Sequence, residues 1–197
     1  MTSEVPRRKM VKTLLLEFGG MHMKTPVLET ERMILRPLKI EDVETVFYNW
    51  TSDEEVAKFM RWNTHENLDV TRAWIQSEID FLEDDRIYNF GFVLKQTGEL
   101  IGSGGLVYNE EHEMYELGYN LMKKYWNQGL ATEAGKRIIE FGIQELKQTK
   151  FFCCHAKDNP ASGKVMGKIG FVYKNDAVYY SWDKSKEFQS RDYILEI

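Results

Sequence analysis

The apolar positions change period along the chain, and each change marks an element. ETERMILRPLKIED alternates around Met33, Leu35 and Leu38, with Pro37 closing the run, and predicts a first strand. IEDVETVFYNW then sets Ile40, Val43, Val46, Phe47 and Trp50 on one helical face, with acids in its first turn where the helix dipole favours them. A short helix is expected over Asp53 to Phe59. A third follows Leu68, marked by Val70, Ala73, Trp74, Ile79, Phe81 and Leu82. From Arg86 to Tyr108 the period is that of two strands, joined at Gln96-Thr97-Gly98-Glu99, where Gly98 supplies the positive φ of a tight hairpin. EMYELGYNLM is another strand, and Gly118 within it suggests a bulge or a close backbone approach. Helical spacing returns over 129–146 through Ala131, Ala134, Ile138, Ile139, Ile143 and Leu146. KFFCCHA reads as a buried strand. NPASGKVMGKI is a helix capped by Asn159 with Pro160 in its first position, and FVYKNDAVYYSW and SRDYILEI are two last strands.

This order predicts an α+β, or mixed α/β, domain around one central sheet of about seven mostly antiparallel strands flanked by helices. The strand–helix–strand unit over 114–156 should be parallel and right-handed.

At 197 residues with 43% apolar content, the chain has room for one real core. Residues 23–197 are taken as that single domain. Residues 1–22 carry a basic patch and a short LLLEF run, too brief for a secretory apolar segment. They are expected to be an arm that packs on the domain or on a partner subunit. Alternatively they are a non-native extension, in which Gly19-Gly20 before Met21 and Met23 is a translated ribosome-binding sequence. The net charge of −5 argues against a nucleic-acid backbone as ligand and would suit a cationic partner such as an amine. The two cysteines, Cys153 and Cys154, are adjacent, so in a strand they point to opposite faces, and two thiols make no zinc site. A reducing cytoplasm fits, and no apolar run is long enough to span a membrane. His65, His112 and His155 lack a metal-ligand partner set, and no metal is expected.

The segment YWNQGLATE, 125–133, poses the chemical question. A tight turn at Gly129 opens a helix directly after a strand, which leaves the amides of Gln128, Gly129, Leu130, Ala131 and Thr132 bare. Such amides, at the positive end of the helix dipole, make an anion site, most often for phosphate. A plain structural turn is the alternative. No GxxxxGK[ST] motif is present, and GSGGL at 102–106 lies inside a hairpin strand, so neither a P-loop nor a dinucleotide fingerprint is supported.

LETERMILRPL, GELIGSGGL, ELGYNL, YWNQGLATEA and NPASGKVMGKIGF follow one another in this order. From about Pro26 to the C-terminus the sequence thereby resembles the GCN5-related N-acetyltransferase (GNAT) superfamily, in the branch of the ribosomal-protein N-terminal acetyltransferases (RimJ/RimL-like). The resemblance implies the GNAT fold, with a splayed parallel strand pair and acetyl-CoA as cosubstrate. Its pyrophosphate motif is matched by Gly129 and Ala131, while Trp126 stands where the pattern has Gln or Arg. The coenzyme would then lie on Trp126, Asn127, Gln128, Gly129, Leu130, Ala131 and Thr132, and its pantetheine arm along Leu117, Gly118, Tyr119, Asn120 and Leu121. Asn159 matches a residue that contacts that arm, besides its role as helix cap.

The implied reaction is direct attack of a neutral amine on the thioester. The amine must first lose a proton, against a pKa of about 8 for an α-amine or about 10.4 for a lysine. By resemblance Glu116 is the candidate base, through a water, with Glu113 behind it. The tyrosine acid of many relatives is absent, since its position is Met166; the branch instead carries a serine, here Ser162, which also lies beside the coenzyme. Asp53, Glu54, Glu55, Glu66 and Asp69 could line an acceptor pocket or face water. The acceptor is a primary amine, whether a protein N-terminus or a small amine such as a polyamine, amino acid or antibiotic. A catalytically silent acyl-CoA sensor is the competing class, and a homodimer fits the family habit.

Overall fold

The computed structural model describes residues 25–197, and the arm expected at 1–22 lies outside them. In chain order the elements are β1 (Leu28–Glu29), β2 (Met33–Arg36), a 3₁₀ turn (Ile40–Asp42), α1 (Val43–Val46), a π turn (Phe47–Thr51), α2 (Glu54–Ala57) and α3 (Leu68–Asp80). Then follow β3 (Ile87–Leu94), β4 (Leu100–Asn109), β5 (Met114–Leu121), α4 (Leu130–Gln144), β6 (Lys150–Ala156), α5 (Pro160–Ile169), β7 (Val172–Tyr180) and β8 (Glu187–Glu196). The strands form one sheet in the order β1-β2-β3-β4-β5-β6-β8-β7. β5 and β6 pair in parallel, and the other neighbours are antiparallel. The strand beyond the expected seven is β1, whose two residues are too few to display a period.

Local chemistry sets the joints. Gly98 turns the β3–β4 hairpin at φ 71° and donates its N–H to the Leu94 carbonyl. The Asn159 side chain accepts from the Ser162 amide at the start of α5, and Gly170, at φ 118°, ends that helix. The two faces of the sheet carry different helices. Tyr115, Leu117 and Leu121 point into a core with Leu130, Ala134, Ile138 and Phe141 of α4 and Met166 of α5. On the other face Val43, Val46, Trp50, Val56 and Ile75 pack α1 to α3 against Leu38 and Leu100.

Three readings change. The helix expected from Ile40 to Trp50 is three consecutive turns of different pitch, and Trp50 and Thr51 are both buried in the widened last turn. Val70 and Ala73 are exposed rather than inward marks of α3, and the buried positions are Thr71 and Ile75. Thr71 affords burial through hydrogen bonds to Thr51 at 3.1 Å and to the His65 ring at 2.8 Å. No bulge occurs at Gly118: β4 and β5 pair in unbroken register from Gly102↔Leu121 to Asn109↔Met114, and the register shifts lie at Phe92/Val93 and Tyr173/Asn175. No helix among the described residues is long and apolar enough to cross a membrane.

Candidate functional site

The parallel pair parts almost as soon as it forms. β5 and β6 are in register only at Tyr115↔Phe151 and Glu116↔Phe152, so Leu117 to Leu121 have no β6 ladder. The Gly118 and Asn120 carbonyls point towards β4, crowding Gly104 and Gly102. Peptide groups alternate along a strand, so the amide and carbonyl of Tyr119 face the gap. The Leu117 carbonyl also faces it and accepts from the Cys153 thiol at 3.1 Å. Gly118 is exposed, with open space where a Cβ would stand. A cleft of about 3070 Å³ runs through this gap, from Asn127 and Gly129 at one end to Arg61 and Trp182 at the other.

At the α4 end of the cleft, Asn127 (φ 60°) and Gly129 (φ 79°) both take the left-handed conformation, and Gly129 is the first residue outside α4. No side chain caps this helix, so the amides of its first turn are left for another partner. Leu130 buries its side chain in the core and offers only its backbone there. The Trp126 indole donates to the Leu121 carbonyl at 2.8 Å and closes the end of β5, and the Gln128 side chain donates to the Lys124 carbonyl at 2.9 Å. Neither polar group reaches outward as the Gln or Arg of the motif would. Arg32, which the sequence did not single out, braces the loop from behind. Its guanidinium donates to the Gln128 carbonyl at 3.0 Å and to Glu133 at 2.6 Å.

The two catalytic candidates stand on opposite faces of the sheet. Glu116 is on the α1–α3 face, where its Oε1 accepts from Arg61 at 3.3 Å and its Oε2 from Asn109 at 2.8 Å. Burial works against the Arg61 charge, but Glu116, Cys154 and Tyr179 together outweigh it and the Arg61 pKa is raised. Cys154 lies beside this pair, its thiol pushed up to about 12 by burial and by Glu116. Arg61 also stacks over Tyr179, and its carbonyl accepts from the Trp182 amide at 2.7 Å, so the loop after α2 is clasped to the loop after β7. Ser162 is on the other face, with its hydroxyl 2.8 Å from the Tyr119 hydroxyl. Burial raises the Tyr119 pKa and keeps that phenol protonated. Sequence reasoning named Tyr119 for its backbone alone. The contact joins residues 43 apart, which no local pattern signals.

The remaining residues named from the sequence are spread along the cleft and the surface around it. Met166 is buried in the core. Glu113 is exposed in the turn between β4 and β5. His155 is buried, with its ring where a Cβ on Gly163 would stand, and is therefore a packing residue. His112 stacks on Phe152 with centroids 3.7 Å apart. Asp53 caps α2, while Glu55 lines the cleft and pairs with Lys123. Among the described residues no three His, Cys, Asp or Glu side chains are grouped to hold a metal ion.

Comparison with known proteins bears on this geometry. Residues 32–172 match the acetyltransferase (GNAT) domain. The chain is 26% identical over 171 residues to the uncharacterized N-acetyltransferase YoaA of Bacillus subtilis (strain 168), covering 86% of this chain and 96% of the relative. It is 26% identical over 155 residues to the spermidine N(1)-acetyltransferase of Escherichia coli (strain K12), covering 74% of this chain and 75% of that protein. The fold superposes on a GNAT-family acetyltransferase from Bacillus anthracis with a TM-score of 0.74 at 23% identity, covering 87% of this chain and 98% of the other.

Proposed function

Because the chain belongs to the GNAT acetyltransferase family, whose cosubstrate is acetyl-CoA, we propose that it threads the acetyl thioester through the β5–β6 gap and transfers the acetyl group to a primary amine. The observation that carries this reading is the parting of β5 from β6 at Glu116, beside a helix whose first amides are uncapped. The diphosphate of the coenzyme would rest on the amides of Gln128 to Thr132. Its pantetheine amides would pair with the Tyr119 backbone, as a missing strand would. The amine enters from the Glu116 face. Its lone pair attacks the carbonyl carbon, the C–S bond breaks, and the electron pair leaves on sulfur.

Glu116 is the proposed proton acceptor, working through a water. Arg61 and Asn109 orient its carboxylate and leave lone pairs for that water. On the far face, Ser162 and Tyr119 would return a proton to the thiolate. A thiol pKa near 8.5 makes thiolate a tolerable leaving group, so this contribution is modest.

Two acceptor classes follow from two observations. The motifs around Asn159 and Ser162 support the ribosomal-protein branch, and with it a protein N-terminal α-amine in the long cleft. Carboxylates in that cleft support a small cationic amine, the class on which the Escherichia coli relative acts by name. Calorimetric titration of acetyl-CoA, followed by thiol release with N-terminal peptides and small amines, tests the reading. Tight binding with release for one acceptor class is expected. Absence of acetyl-CoA binding would overturn it.

A further inference from the structure

Glu78, in the last turn of α3, lines the cleft but takes no part in the steps above. Its Oε2 accepts from Asn89 Nδ2 at 2.7 Å. Burial pushes its pKa up to about 7, against the pull of the Asn89 bond. Glu78 is half-buried, and a desolvated carboxyl with a single neutral partner is a costly thing to keep in a fold.

The sheet register places this group relative to the thioester gap. Asn89, Gly105 and Gly118 form one row across β3, β4 and β5. Gly105 must lack a side chain there, because a Cβ would collide first with the Tyr88 carbonyl and then with the side-chain oxygen and Cα of Asn89. The Asn89 amide therefore lies flat across β4, and beyond it the floor at Gly118 is bare up to the gap. In the next row Asn120 donates to Ser103 at 2.9 Å, and its own oxygen has no partner. Trp74 stands one helical turn before Glu78 on α3 and lines the same cleft with Phe59, an apolar wall leading to a carboxylate.

Two strand spacings, about 10 Å, separate the Asn89 and Gly118 backbones. Glu78 is thus too far from the gap to touch the reacting nitrogen. It is well placed for a group farther along the acceptor. Given the acetyl transfer proposed above, we infer that Glu78, held by Asn89, seats a second positive charge of the acceptor, an ammonium about four or five carbon atoms from the reacting amine. The methylene chain lies between Trp74 and the glycine floor. An ammonium supplies only donors, which is what a carboxylate and an amide oxygen require.

The test compares 1,5-diaminopentane with 1-aminopentane, the same chain with one charge fewer, at pH 8 where Glu78 is ionised. Binding to the coenzyme A complex is measured by calorimetry and turnover by thiol release, for wild type and Glu78→Gln. Wild type should prefer the diamine by about tenfold to a hundredfold, the range of one charge-assisted hydrogen bond. Glu78→Gln should bring the two amines within about threefold while the monoamine constants stay as they were. Asn89→Ala, a second variant that frees the carboxylate from its tether, should reduce the preference partway. An equal preference in wild type and Glu78→Gln, or failure of the diamine to bind wild type, overturns the inference. Acetyl-CoA titration of the same samples keeps this apart from the transferase reading, which falls only if acetyl-CoA itself fails to bind.

Discussion

Exchanging Glu78 for Gln isolates the cost of burying one carboxyl group. Its ordinary pKa of 4.5 is raised in the fold to about 7. That is about two and a half pH units, at about 1.36 kcal/mol each, or about 3 kcal/mol. The folded protein holds the proton more tightly than the unfolded chain does. Below pH 4.5 both states carry it, and the buried acid costs nothing through ionisation. Between pH 4.5 and 7 only the unfolded chain gives it up, so the fold steadily loses stability as pH rises. Above pH 7 the loss is complete. Gln has no proton to release and can still accept the Asn89 bond. Every other titrating group is common to both proteins and cancels in the difference. Urea unfolding from pH 4.5 to 8 should therefore show Glu78→Gln gaining about 3 kcal/mol on wild type across that range. In melting temperature this is about 6–12 °C for a domain of this size. A difference between the two proteins that stays constant with pH would refute the reasoning, since it would mean that Glu78 is hydrated and ionises normally.

The remaining perturbations bear on the proposed transfer. Gly129→Ala has space for its methyl, the nearest atom being Arg32 Nη2 at 3.6 Å, so the φ of 79° alone should cost about 1–2 kcal/mol in urea unfolding. Gly129→Glu should cost the same and also abolish acetyl-CoA binding by calorimetry; equal affinities for the two variants would mean that no anion sits on these amides. Glu116→Gln should lower kcat roughly a hundredfold with acetyl-CoA affinity intact, and an unchanged kcat would remove Glu116 from the chemistry. Ser162→Ala and Tyr119→Phe should each lower kcat by about tenfold, less than a general acid usually contributes because the thiolate leaves readily. Since Glu116 and Ser162 share no contact, the kcat losses in the double variant should multiply, and a loss no greater than that of Glu116→Gln alone would place both residues on one proton path.

The turns and caps that shape the candidate site were legible because they are written in consecutive residues. Gly129 after a strand, Asn159 before Pro160 and Gly98 within a hairpin each act through backbone conformation, which depends on near neighbours. The sheet followed from periods long enough to count, and β1 was missed because two residues carry none. Gly118 was noticed for the right absence of a side chain but the wrong consequence. It makes open floor beside the gap and leaves the ladder unbroken. The contacts that give the cleft its character were not legible. Arg32 meets Glu133 across 101 residues, Arg61 meets Glu116 across 55, and Tyr119 meets Ser162 across 43. Glu78 carries no local signal in the sequence. Only the topology sets it beside Asn89, two strand spacings from Gly118 at the gap.

The division between legible and illegible follows the division of labour proposed for the sheet. A thioester in the β5–β6 gap shows one face to Glu116 and the other to Ser162, so the proton leaving the amine and the proton reaching sulfur need not cross. The coenzyme side of such a partition can be built from backbone, because a diphosphate and two amides ask only for N–H and C=O groups in the right places. The acceptor side has to recognise a particular molecule. In the proposed reading it is built from side chains on α3, β3 and the two clasped loops, which lie far apart in the sequence and meet only in the folded protein. A carboxyl group that weakens the fold at neutral pH, yet lines that side, is what selection for an acceptor rather than for stability would leave behind.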